Sequence, residues 1–305
     1  MSLPARTLHP TPSLEPPEAF ERRVRPLMQM ALAETLEAIP SGLGPVPAAV
    51  ARAVGLDGRP GRRWRPFLAL AVAEAVGGRA EDAVDAAVAV ELTHTASLVL
   101  DDLPCMDDSP LRRGEPATHA LLGAAGAILV AVGLLARAAE LLGRSGPHGG
   151  ELARRWGKTF GLDGMSGGQA VDLMLGGSCT GSMRRLYRRK TTALVVLAVD
   201  AGSLVADAPE VVRHALRGYG RDVGWAYQLV DDAKDRVEDA ALGRDPGGRN
   251  PLRQARRLLD RSLARVEQLP DLAPGGGPLL CGIARTIVRI PSLMPVRPDQ
   301  EATSC

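Results

Sequence analysis

Aromatic side chains are the scarcest class in this 305-residue chain, with three each of Phe, Tyr and Trp, or 3% of the residues. The rings are Phe20, Phe67, Phe160, Tyr187, Tyr219, Tyr227, Trp64, Trp156 and Trp225. So few rings argue against a β-sandwich core and against a single-strand nucleic-acid binder, which needs stacking platforms. Charge of one sign is also missing. Lys plus Arg is 37 against 35 for Asp plus Glu, and the net charge of +2 offers no basic footprint for nucleic acid. Any recognition of anions must therefore be local. The four cysteines, Cys105, Cys179, Cys281 and Cys305, form no CxxC or other zinc-like spacing, so a reduced, cytoplasmic compartment is expected. Cys305 is the last residue rather than the fourth from the end, so no prenylation box exists.

Long hydrophobic runs are absent as well. The best, LLGAAGAILVAVGLLA at 121–136, falls short of the roughly 18 residues that suggest a membrane span. It is expected to be a buried core helix, with no stable membrane insertion. Residues 1–17 carry five prolines and no apolar run, which reads as a flexible arm rather than a signal peptide. Glycine (34) and proline (24) together stay below the roughly 25–30% typical of low-complexity chains.

What is present is helical. Ala, Leu and Arg dominate, and apolar-periodic segments broken by Gly and Pro run from 18 to 290 with no convincing period-2 stretch. The patterns predict a single all-α domain at 18–290 and a flexible tail at 291–305. Helices are expected at 18–38, 45–56, 64–77, 81–104, 117–143, 149–163, 166–176, 182–206, 209–239, 251–268 and 278–290. DLAPGGGP (271–278) reads as a linker. Trp64, Leu68, Ala71 and Ala75 share a helical face and read as core.

Two acidic clusters carry the chemical signal. An apolar helix over Leu98, Val99 and Leu100 ends in Asp101 and Asp102, with Asp107 and Asp108 following. A solvated turn would explain a lone acidic pair, but here the pair ends a buried run. Packed carboxylates raise one another's pKa unless a cation joins them, so a hard divalent ion is favoured. Arg112 and Arg113 follow closely, with planar donors suited to phosphate. The second cluster has Asp231 and Asp235 four apart on one helical face beside Asp232, with Lys234 and Arg236 as balancing charges. An exposed charged face fits that segment alone. As a pair, the clusters would form an acidic mouth for several ions, and Mg²⁺ with substrate phosphates fits it better than a closed protein cage. Arg62 and Arg65 stand at a helix start, where anions are favoured. Lys190 opens another apolar segment, and Gln169 and Asp172 lie in GGQAVDL.

GRRWRP (61–66), DDLPCMD (101–107), LRRG (111–114), GQAVDL (168–173), RKT (189–191) and YQLVDDAKD (227–235) occur in an order and spacing that resembles the trans-isoprenyl diphosphate synthases, the polyprenyl synthetase family. The resemblance spans roughly residues 20–268. HTASLVLDDLPCMDD and AILVAVGLL look most like the bacterial geranylgeranyl diphosphate synthases of carotenoid pathways. It implies an isoprenoid synthase fold, a large helical bundle around a central apolar cavity. It also implies Mg²⁺-dependent head-to-tail condensation of isopentenyl diphosphate with dimethylallyl, geranyl or farnesyl diphosphate. Asp101, Asp102 and Asp107 would hold two Mg²⁺ ions, and Asp231 with Asp232 and Asp235 a third. Asp101, Asp102, Lys190 and Asp231 carry the catalytic roles. Arg112, Lys190, Thr191 and Gln228 would bind the allylic diphosphate, while Arg62, Arg65, His94 and Arg113 would cradle isopentenyl diphosphate. A homodimer is implied too.

Product length is set, in this reading, at Ala96 and Ser97. Ala96 stands five residues before Asp101, about 7.5 Å deeper along the helix axis. Farnesyl-making relatives carry an aromatic plug there, so Ala96 and the scarcity of rings imply a deeper pocket and geranylgeranyl diphosphate as product; Ala96→Tyr is expected to shorten it to C15. Farnesyl or longer products are the alternative. The chain departs from the family at LGRDPGGRNP (242–251), where Arg244 and Gly248 stand at or near positions the family fills with lysine and Arg249 is a possible substitute. A short C-terminal portion would let a partner subunit complete the pocket floor.

Three other functions compete. A class I terpene cyclase needs an NSE-type motif, yet the sole asparagine is Asn250, followed by Pro251. A non-catalytic partner subunit would lose aspartates that are intact here. A di-iron bundle needs two ExxH repeats. Glu91 and His94 form one, and none of His9, His119, His148 and His214 has a Glu three positions earlier.

Overall fold

A chain rich in Ala and poor in rings builds its core by bringing helix backbones close together. The computed structural model describes residues 15–58, 61–175, 182–241, 251–270 and 272–290, with side chains given except at 175, 182–189 and 235–241. Eleven α-helices are seen among them: α1 Pro17–Glu37, α2 Val46–Ala53, α3 Trp64–Ala75, α4 Val84–Asp101, α5 Thr118–Gly143, α6 Gly149–Phe160, α7 Met165–Leu175, α8 Ser182–Val205, α9 Glu210–Ala241, α10 Pro251–Glu267 and α11 Gly276–Ile287. The one sheet among the described residues is a two-residue antiparallel hairpin, β1 (Leu111–Arg112) with β2 (Glu115–Pro116). The all-α expectation therefore holds, and most helix ends fall within three residues of the sequence pattern.

Helices α3, α4 and α8 form the centre. Nine of the twelve α3 residues are buried, so it is apolar on every side rather than on the single face expected. Its contact with α8 is a backbone contact: a Cβ on Gly202 would lie 2.1 Å from the Ala69 carbonyl oxygen. Gly220 and Gly224 of α9 approach α8 in the same manner. Burial of small residues at this density replaces the rings that other cores use. Buried carboxylates tie the outer helices on. Asp200 of α8 accepts from Arg155 of α6 (2.5 Å) and Arg217 of α9 (2.6 Å), while Asp222 of α9 accepts from Arg261 and Arg265 of α10.

Three local expectations change. Helix α4 ends at Asp101 rather than 104, because the chain turns back there and the Asp107 amide donates to the Asp101 carbonyl (2.9 Å). The 271–278 linker is shorter than its composition suggests, since α11 starts at Gly276, packed so closely on α3 that a Cβ would lie 2.8 Å from the Ala75 oxygen.

The third change concerns α5, which is not a core helix. Its Ala127, Val130, Ala131, Leu134 and Ala138 are buried, but Leu121, Ile128, Leu129 and Val132 are exposed, Leu129 by 70%. A run that is apolar all round buries only the stripe its neighbours cover, and sequence periodicity cannot say whether anything covers the rest. By length and composition α4 and α5 could each cross a membrane, although 67% of the apolar window of α4 is buried inside the protein.

The α3–α8 contact yields a stability test. Gly202→Ala is expected to cost about 1–3 kcal/mol through overpacking. Gly133→Ala, on α5 with no atom within 4 Å of the new methyl, should stabilise by about 0.4–1 kcal/mol. Urea unfolding of both variants measures the difference, and equal midpoints would contradict the close approach.

Candidate active site

Each acidic or basic motif sits at a helix end that faces the same side of the bundle. At the C-terminus of α4, Asp101 lines a cavity of about 360 Å³ among α4, α6, α7, α8 and α9. Lys190, Thr191 and Gln228 join it at the polar end, while Leu98, Met106, Met165 and Leu194 contribute to the apolar wall. Burial pushes the Asp101 carboxyl up to about 6; Lys190 and Arg112 oppose that rise, and Asp107 and Asp102 add to it. A carboxylate crowded by others is a hard oxygen donor that a divalent cation would restore to its charged form.

Asp102 takes a different position from its neighbour. It is buried, and both of its oxygens accept from the Arg112 guanidinium, the Nε contact being 3.0 Å. The sequence reading grouped it with the metal ligands; the structure instead has it orienting Arg112. The β1–β2 hairpin makes this possible. Arg113 (φ 57°) and Gly114 (φ 83°) form its two-residue turn, which separates the two arginines.

The second motif is held by a chain of hydrogen bonds. The Thr191 hydroxyl donates to Gln228 Oε1 (2.5 Å), and Gln228 Nε2 donates to Asp232 Oδ1 (2.8 Å). Lys190 pairs with Asp172 of α7 (3.2 Å), and Lys234 with Asp231 (2.7 Å). Asp231 is also hydrogen-bonded to the Tyr227 hydroxyl. Asp107 is exposed. The Asp235 side chain and residues 242–250, with Arg244, Gly248, Arg249 and Asn250, lie outside the described residues. Among the described residues no three His, Cys, Asp or Glu side chains form a ready-made metal cluster.

A second cavity, about 480 Å³, is lined by Gly61, Arg62, Arg63, Trp64, Arg65, Glu91, His94, Arg113 and Tyr227. It is a cationic site, and Gly61 is part of its construction. A Cβ there would lie 2.6 Å from the Arg113 guanidinium, so only glycine lets that arginine settle against the α3 start. Arg65 donates to His94 Nε2 (3.2 Å), and its guanidinium stacks 4.3 Å from the Trp64 ring centroid. Burial, then Arg65 and Arg113, hold His94 well below its ordinary pKa, while burial raises Glu91 against the pull of Arg63, Arg65 and Arg113.

The two cavities meet. Arg65, His94 and Tyr227 line both of them. Two polar atoms at the meeting are buried without a partner, Arg65 Nε and Gln169 Oε1, which is the state expected of groups that await a polar ligand.

The structure thus unites Asp101, Lys190, Thr191 and Gln228 on one cavity and Arg62, Arg65, His94 and Arg113 on the other. It separates the chain-length pair. Ser97 lines the first cavity, but Ala96 is fully buried in the core and is not part of that wall. Nor is the wall free of rings, as the composition suggested, because Phe160 and Tyr227 both line it. Sequence reasoning missed Tyr227, although its place one turn before Asp231 was a usable signal. It also missed Arg63, whose left-handed backbone (φ 49°) turns its buried guanidinium onto the Val54 and Gly55 carbonyls at the end of α2.

The Arg65–His94 bond can be tested directly. With Nε2 accepting, His94 is neutral and carries its proton on Nδ1. Its lowered pKa keeps it so as pH falls through 6.5. Nitrogen-detected NMR at pH 6 should show a neutral imidazole, and an imidazolium there would contradict this geometry.

A profile of the Polyprenyl synthetase family matches residues 53–247, more than half of the chain. Over 197 residues (61% of this chain) the sequence is 38% identical to a protein of Capsicum annuum named geranylgeranyl pyrophosphate synthase, chloroplastic. Over 183 residues (57% of this chain) it is 37% identical to the farnesyl diphosphate synthase of Bacillus subtilis (strain 168). The matches span 53% and 62% of the length of these two relatives. Among solved structures, an FPP/GFPP synthase from Zymomonas mobilis superposes with a TM-score of 0.76 at 31% identity, over 89% of this chain and 98% of that one. With its motifs, its helical architecture and these similarities in agreement, the chain belongs to the polyprenyl synthetase family.

Proposed function

We propose that this protein is a trans-prenyltransferase that joins isopentenyl diphosphate to an allylic diphosphate, releasing geranylgeranyl or farnesyl diphosphate. The observation that carries the reading is the junction of an acid-capped apolar cavity with a cationic cavity at Arg65, His94 and Tyr227. An allylic diphosphate fits the first, with its head near Asp101 and Lys190 and its tail among the apolar side chains. Isopentenyl diphosphate fits the second, its charges met by Arg62, Arg65 and Arg113.

The chemistry needs positioning, charge stabilisation and dryness. The allylic C–O bond breaks, and the diphosphate leaves with the electron pair. The isopentenyl double bond attacks the allylic cation to form the new C–C bond, and a proton then passes to the departing diphosphate. Lys190 and Arg112 face the charge that develops on the leaving group, and Gln228 and Thr191 orient its oxygens. The stacked Trp64, Arg65 and Tyr227 present ring faces and a fixed cation at the junction, and the apolar wall excludes the water that would quench the cation. Asp101, Asp107, Asp231 and Asp232 are the carboxylates available to Mg²⁺, three ions being expected with substrate bound. When bound, magnesium supplies positive charge that offsets the leaving diphosphate.

Incubation with Mg²⁺, isopentenyl diphosphate and C5, C10 or C15 allylic diphosphates tests the reading. A lengthened prenyl diphosphate is expected. Hydrocarbon release without isopentenyl diphosphate would point to a cyclase, and no turnover to a non-catalytic subunit. The raised Asp101 pKa adds a pH dependence. A protonated carboxyl does not hold a divalent ion, so the site loses metal as pH falls through about 6. The Mg²⁺ concentration for half-maximal rate should rise by about tenfold per unit below that.

We also infer that the exposed stripe of α5 is covered by a second copy of this chain. A contiguous line of Leu121, Ile128, Leu129 and Val132 on a helix otherwise bound to α4 is apolar surface of the kind that self-association buries. Leu129→Glu with Val132→Glu should convert a dimer to a monomer in light scattering coupled to size exclusion. An unchanged mass would remove α5 as the interface.

A further inference from the structure

The inference concerns what stops the growing chain, and it rests on the prenyl-transfer reading above. Helix α4 brings no ring to the apolar cavity: Ser97 lines it, and Ala96 faces the core. Helix α6 does bring one. Its last residue, Phe160, lines the cavity and stacks on Trp156 with ring centroids 6.2 Å apart and planes within 7°.

The stack is anchored at every joint. Trp156 Nε1–H donates to the Thr93 hydroxyl of α4 (2.8 Å), and that hydroxyl donates to the Ala89 carbonyl (2.7 Å), so its lone pair is left for the indole. Thr93 is fully buried, eight residues before Asp101 and so about 12 Å below it along the helix. The Phe160 carbonyl accepts from the Ser166 hydroxyl (2.6 Å). The turn between α6 and α7 closes tightly, for a Cβ on Gly164 would lie 1.9 Å from the Thr159 oxygen. A ring held by its backbone, its stacking partner and a cross-helix hydrogen bond cannot swing aside freely.

We propose that Phe160 is the specificity-determining stop of the prenyl cavity, and that Trp156 and Thr93 act as positioning residues for it. The aromatic plug absent from α4 is supplied from α6, packed against α4 at the depth of Thr93. A tail that runs down from Asp101 meets this stack, and its position limits how many five-carbon units can be added.

The test is product length, resolved by chromatography after incubation with Mg²⁺, excess isopentenyl diphosphate and dimethylallyl diphosphate. Phe160→Ala is expected to move the main product at least one C5 unit longer than wild type. Trp156→Phe and Thr93→Val keep the plug but loosen it, so each should broaden the distribution toward longer products, and Thr93→Ser should restore the wild-type length. Phe160→Leu serves where the alanine variant does not fold, and should also lengthen the product. If wild type elongates allylic substrates and the folded Phe160 variants end at the same length, the stop lies elsewhere and this proposal alone falls. If wild type elongates none of the C5, C10 or C15 starters, the prenyl-transfer reading falls and takes this one with it.

Discussion

The close approach of α3 and α8 is the constraint on which the site depends. Ala69 and Gly202 bring two helix backbones into direct contact. Those helices carry Arg62 and Arg65 at one end of α3 and Lys190 and Thr191 along α8. Wider spacing, as a core of large side chains would impose, would pull the cationic groups of α3 away from the polar end of the apolar cavity. An Ala-rich composition is therefore a geometric requirement of the site as well as a helix-forming tendency.

Where rings do occur, they are concentrated. Trp64 and Tyr227 stand at the junction of the two cavities, and Trp156 and Phe160 at the apolar wall. Phe20 and Phe67 each receive an arginine over their faces, Arg23 and Arg25 respectively. The rings are placed where a flat rigid surface or a cation contact does something that alanine and leucine cannot. Only Tyr219 serves the core in the ordinary way, fully buried with its hydroxyl on the Leu280 carbonyl (2.8 Å).

Charge follows a related logic. Asp101 and Asp102 are adjacent, yet one faces the cavity and the other is tied to Arg112, because successive residues at a helix end point about 100° apart. The hairpin turn divides Arg112 and Arg113 between the two sites in the same fashion. Motif spelling groups such residues together, whereas direction assigns them different work.

Legibility in the sequence tracks the range of the interaction. Helix extents, the acidic and basic motifs and the family likeness were readable, since periodicity, end residues and spacing are local properties of the chain. Tyr227 was within reach, being one turn from Asp231. The partition of Ala96 from Ser97, the arrival of Phe160 beside α4, the burial of Arg63 on the α2 carbonyls and the open face of α5 were not. Each depends on which helix packs against which and at what rotation, and that is decided by contacts between residues distant in sequence, such as Thr93 with Trp156 or Ala69 with Gly202. The amino-acid order by itself determined that the chain makes helices with charged ends suited to diphosphate chemistry. Only the tertiary structure decided which side chains share a cavity, because sharing a cavity is a property of packing and not of order.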